Sequence, residues 1–123
     1  KNKTTTTTTT TTYLEPDEVV RNFLSAIDKR EFKKAYKMQR IDRLGTLSSF
    51  CSKDGYGGTN KVILNEIKIT SKKTNTSKVY ADYKTYDPQN SNWEIKAEYS
   101  LSMVQQNWII TDFKNLYIKK IKK

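Results

Sequence analysis

Trp93-Glu94-Ile95-Lys96-Ala97-Glu98-Tyr99-Ser100-Leu101-Ser102-Met103 alternates apolar and polar residues without a break. That period of two places Trp93, Ile95, Ala97, Tyr99, Leu101 and Met103 on one face of a β-strand and the charged residues on the other. The same alternation surrounds it. Val79, Ala81, Tyr83 and Thr85 interleave with Tyr80, Asp82, Lys84 and Tyr86, and a turn at Asp87-Pro88-Gln89-Asn90 joins the two runs. Upstream, Lys61–Thr70 reads as a strand with Ile63, Ile67 and Ile69 on one parity, followed by the turn-rich residues Ser71–Ser77. Downstream, Gln105-Gln106 is a tight turn into a last strand over Trp108–Ile118. Four consecutive strands with short connections predict an antiparallel meander.

Before Ser52 the apolar period is helical. Pro16 suits a first helical position, and Asp17 and Glu18 place negative charge where the helix dipole favours it. Val19, Val20, Phe23, Leu24 and Ile27 then form an amphipathic stripe that breaks at Asp28-Lys29-Arg30. A second helix starts near Glu31, with Phe32, Ala35, Tyr36 and Gln39 on one face and Lys33, Lys37 and Arg40 opposite. Ile41, Leu44, Leu47 and Cys51 extend to a further helical turn or two, and Ser52–Asn60, with three glycines, is a loop. Helices first and strands second make an α+β fold: two or three N-terminal helices packed on a curved four-stranded antiparallel meander sheet.

The 123 residues suit one domain. They carry 23 Lys+Arg, 13 Asp+Glu and no His, for a formal net charge of +10. Without His, the commonest neutral-pH proton shuttle and metal ligand is missing. With a single cysteine, Cys51, there is no intrachain disulfide and no Cys-based zinc or iron–sulfur site. Neither a metal nor a cofactor is expected. Six of the excess positive charges are lysines at the ends, Lys1, Lys3, Lys119, Lys120, Lys122 and Lys123. The expected division is a Thr-rich flexible tether over residues 1–12, a single domain over 13–118 and a basic tail over 119–123. Residues 4–12 are nine consecutive threonines, which bury nothing and cannot offset the entropy of ordering. A polar tether of this kind often separates a folded domain from a membrane anchor. The expected location is therefore the cell envelope, outside the cytoplasm, with membrane contact only through an N-terminal anchor.

Several stretches together resemble the nuclear transport factor two-like superfamily, the cystatin-like α+β cone, and most of all its small bacterial envelope and lipoprotein members. They are Glu15–Leu24 as the opening helix, Glu31-Phe32-Lys33-Lys34-Ala35-Tyr36 as the second-helix motif, Lys78–Tyr83, and Asn107-Trp108-Ile109-Ile110-Thr111-Asp112-Phe113 as the closing strand. The similarity spans residues 15–114, with Gln105-Gln106-Asn107 in place of the usual Asp-Gly-Lys turn. The resemblance implies a cone of curved sheet closed by helices, with a pocket at its open end. In the superfamily's enzymes carboxylates, often with a His, project into that cone; fold alone does not decide function.

In this chain the inward parities of the two middle strands carry no carboxylate, which argues against general acid–base chemistry. Asp112 alone shares the parity of Trp108 and Ile110 and is the acid to test at a pocket mouth. Tyr36, Tyr83, Trp93, Tyr99 and Trp108 are the residues to line an amphipathic ligand pocket, or else to fill the core. Cys51 reads as a small buried hydrophobe. On the outer face Tyr80, Lys84 and Tyr86 beside Glu94, Lys96 and Glu98 suit a homodimer contact. The interleaved Asp82, Glu94 and Glu98 repel phosphate there, so nucleic acid is not expected on the sheet. The expectation is a non-enzymatic binding or interaction domain taking a protein partner or a small apolar ligand. The alternatives are a small isomerase- or dehydratase-type enzyme of the same fold, and a basic component of a secretion, conjugation or nucleic-acid assembly.

Overall fold

A computed structural model describes residues 14–52, 55–88 and 91–121. Helix α1 spans Pro16–Asp28, α2 Phe32–Tyr36 and α3 Leu47–Cys51, with a 3-10 turn at Asp42–Leu44 between the last two. Strands β1 (Lys61–Lys72), β2 (Thr76–Tyr86), β3 (Asn92–Val104) and β4 (Asn107–Ile121) follow in one antiparallel sheet of order β1-β2-β3-β4. This is the α+β meander that the two periodicities predict. The tether at residues 1–12, Lys122, Lys123 and part of the Asp87–Asn90 turn lie outside the described residues.

Helix α1 opens with Pro16 at its first position and the Glu15 backbone N–H donating to Glu18 Oε1 at 2.9 Å. It closes in a Schellman turn, in which the N–H of Arg30 donates to Ile27 O (3.0 Å) and that of Glu31 to Ala26 O (2.8 Å). This turn puts Arg30 at φ 59°, a left-handed conformation that glycine usually takes. The Arg30 guanidinium donates to Thr59 O at 2.7 Å and lies 5.0 Å from the Phe32 ring centre, so one contact distant in sequence and one nearby hold the residue there. Asp28 Oδ1 accepts from the Val62 N–H at 2.8 Å and ties the end of α1 to the start of β1.

Val20, Phe23, Ala35, Phe50, Val79, Ala81, Ala97, Tyr99, Leu101 and Ile110 are buried almost completely between helices and sheet. In α3 the core residue is Phe50, rather than Leu47 or Cys51, which are only half-buried. The Met38–Arg40 segment closes one sheet edge: Ile110 N–H donates to Met38 O and Arg40 N–H to Ile110 O, an isolated parallel bridge outside the named strands.

Three departures from the expected pattern share one cause. Each β-bulge inserts a residue and flips the parity beyond it. In β1 the register shifts between Leu64 and Glu66, so Val62 and Leu64 face inward before it and Ile67 and Ile69 after it, while Ile63 is exposed. In β4 it shifts twice, around Thr111 and around Leu116. The basic tail assigned to 119–123 is also corrected in part. Lys119, Lys120 and Ile121 pair with Glu94, Trp93 and Asn92 as the end of β4. Removing residues 119–123 is therefore expected to cost roughly 1 kcal/mol of ladder hydrogen bonding. That loss lowers the melting temperature by about 4–8 °C in a calorimetric scan, where a free tail would change nothing.

Candidate functional site

The space between the helices and the sheet is filled. Tyr83 from β2 and Tyr99 from β3 point inward from adjacent strands, and their hydroxyls meet at 3.0 Å. Tyr99 stacks on Phe113 (centroids 5.5 Å, 26°) and meets the Phe23 ring edge-on at 6.3 Å. Burial pushes the Tyr83 hydroxyl up to about 12, partly offset by its hydrogen bond with Tyr99. The Tyr99 hydroxyl is raised well above the usual tyrosine value, first by burial and then by the neighbouring Tyr83 and Tyr56. Both are neutral phenols at pH 7, so the centre offers hydroxyl hydrogen bonds and no base.

The six candidate residues do not converge. Tyr83 and Tyr99 form the buried pair. Tyr36 faces an open surface cleft with Gln39, Arg40, Asp42 and Thr46. Trp93 is half-buried near the far end of the β3–β4 hairpin, opposite Lys120. Asp112 is a correction. The bulge at Thr111 places it opposite Ser100 on the outer face, exposed, and gives the inward position opposite Tyr99 to Phe113. Its Oδ1 accepts from the Phe113 N–H at 2.8 Å, a local backbone role.

Trp108 is the candidate with a recess beside it. It lines a slot of about 150 Å³ with Leu14, Val19, Met38 and Ile109, rimmed by Asn22, Lys37 and Asn107. A larger, more open groove of about 510 Å³ continues past Leu14 and Trp108 towards Lys72, Thr74 and Met103. The slot exists because α1 starts, the Met38–Arg40 segment crosses and the β3–β4 turn closes at one end of the sheet. A recess of this size holds a benzene-sized apolar group, with Lys37 and two amides at its rim. Leu14, Met38 and Ile109 were missing from the sequence-based pocket, because nothing in their local pattern brings three separate segments together.

Among the described residues no three His, Cys, Asp or Glu side chains gather as a metal site, and no helix is long and apolar enough to cross a membrane. No protein-family model matches the chain, and no curated protein sequence matches it either. The fold does have solved counterparts. One is the crystal structure described as a "putative aromatic ring hydroxylase" from Novosphingobium aromaticivorans, with TM-score 0.59 and 8% identity over 85% of this chain and 89% of that one. At that identity the likeness carries the fold alone.

Proposed function

We propose that this chain is a non-enzymatic binding domain, carried outside the cytoplasm on its Thr-rich segment, that takes a small apolar ligand or an apolar side chain of a protein partner in the Trp108 slot. The observation that carries this reading is the Tyr83–Tyr99 pair. Two neutral phenols and their aromatic neighbours fill the position from which an enzyme of this fold would present a carboxylate or His. Recognition then falls to the periphery, where Leu14, Met38, Trp108 and Ile109 offer an apolar surface next to Lys37. The Thr run at residues 4–12 supports the tethered placement, since a long polar segment separates a domain from whatever holds it. The enzyme alternative draws on the family resemblance and on the description of the structural neighbour.

With Trp93→Phe leaving Trp108 as the only indole, benzene or phenol is expected to change the Trp108 fluorescence. It should also raise the melting temperature by mass action, by an amount equivalent to about 2.7 kcal/mol at a hundredfold excess over Kd. Met38→Glu, which places a charge in the slot, should abolish both responses, while Asp112→Asn should leave both intact. Turnover of an aromatic substrate that Asp112→Asn destroys would replace this reading with the enzyme alternative.

A further inference from the structure

The positive charge of the folded part is concentrated in one place. Lys29, Arg30, Lys33, Lys34, Lys37 and Arg40 lie within twelve residues, and all six are exposed. Glu31 is the only acid among them. Arg30, from the turn before α2, and Lys33, Lys34 and Lys37 line one open cleft of about 570 Å³ over Phe32 and Cys51, with Glu31 as its single acid. Among the described residues none of the six takes part in an ion pair, whereas sheet lysines do: Lys68 with Glu66, Lys72 with Glu15 and Lys78 with Glu98. Like charges three and four residues apart destabilise a helix, and α2 is only five residues long. An unneutralised stripe kept at that cost marks a surface built to meet negative charge.

We propose that this face of α2 docks on the headgroup layer of a bilayer rich in anionic phospholipid. Two observations favour a lipid surface over other polyanions. The aromatic ring in the cleft, Phe32, packs in part against the core and has the Arg30 guanidinium 5.0 Å from its centre, which disfavours stacking of a nucleic-acid base on it. Lys37 also lines the slot that holds Leu14, an apolar side chain that is 44% exposed, so apolar and cationic groups adjoin as they do at an interfacial contact. The proposal is independent of what fills the slot.

The test is sedimentation of the full chain with vesicles of phosphatidylcholine alone or with roughly one-third phosphatidylglycerol. Binding is expected only with the anionic vesicles, weakening steeply between about 50 and about 200 mM salt. Lys33→Gln, Lys34→Gln and Lys37→Gln together should reduce it on the order of a hundredfold. The corresponding Arg substitutions should retain it. Lys68→Gln, Lys78→Gln and Lys84→Gln remove the same charge from the outer sheet face and should cost only a few-fold. Equal losses in the two Gln variants would reduce the effect to net charge and overturn the proposal. So would undiminished binding by the α2 variant, or tighter binding of a single-stranded oligonucleotide than of vesicles at equal phosphate.

Discussion

Phe23→Ala is expected to lower the melting temperature of the domain by about 15–30 °C and to leave little folded protein under mild denaturing conditions. Phe23 is fully buried in α1 and meets three rings edge-on, Tyr56 at 5.9 Å, Phe50 at 6.2 Å and Tyr99 at 6.3 Å. It joins helix, loop and sheet, so no single neighbour can move in to fill the space. Truncating a buried Phe costs about 3–5 kcal/mol, against a total stability of roughly 5–15 kcal/mol for a domain. Thermal unfolding followed by far-ultraviolet circular dichroism measures the loss. Phe32→Ala, at a half-buried position beneath Arg30, should cost far less and serves as the internal comparison. A drop of less than about 5 °C for Phe23→Ala would mean that the cone centre is loosely packed, and the filled-core reading would fail.

The second large effect concerns the phenol pair. Tyr83→Phe or Tyr99→Phe alone strands the remaining hydroxyl in the core and is expected to cost about 1–3 kcal/mol. The double replacement removes donor and acceptor together and should cost little more than either single change, or less. The difference is the coupling that a double-mutant cycle reads in urea midpoints. The same pair predicts alkaline sensitivity. In the folded state burial raises both hydroxyls above the ordinary value of 10, Tyr83 to about 12. Below pH 10 both states keep these protons, and the stability is fully present. Above it the unfolded chain releases protons that the folded chain retains, so stability falls as the pH rises from about 10 towards 12, by up to about 1.4 kcal/mol per pH unit for each group. The double Phe variant should lose that part of the decline. An unchanged slope would show that the hydroxyls reach water.

Much of the architecture is legible from periodicity because burial imposes it locally. The Val19–Ile27 stripe and the Trp93–Met103 alternation each report one face against one core, and the elements form where those periods hold. The Pro16 start of α1 is local as well, set by backbone chemistry within a turn, whereas its end is also held by Thr59 and Val62, distant in sequence. The inward rows that carry Tyr83 and Tyr99 are legible too, but their contact is not a register pair: Tyr83 lies opposite Ile95 and Tyr99 opposite Val79, and only the side-chain hydroxyls meet.

The slot and the fate of Asp112 are not legible in this way. Counting by twos along β4 puts Asp112 inside with Trp108 and Ile110, and it fails at Thr111, where one inserted residue exchanges Asp112 for Phe113. The residues at that bulge form an ordinary strand sequence, so nothing local marks where the register shifts. Likewise the cations around α2 are visible one by one, but only the tertiary structure shows that none of them forms an ion pair among the described residues, while Lys68 and Lys78 pair with the sheet acids Glu66 and Glu98. Strand and helix follow from a chain's near neighbours. Which side chain reaches the core, and which charge is left unmatched, is decided by neighbours distant in sequence that only packing brings close.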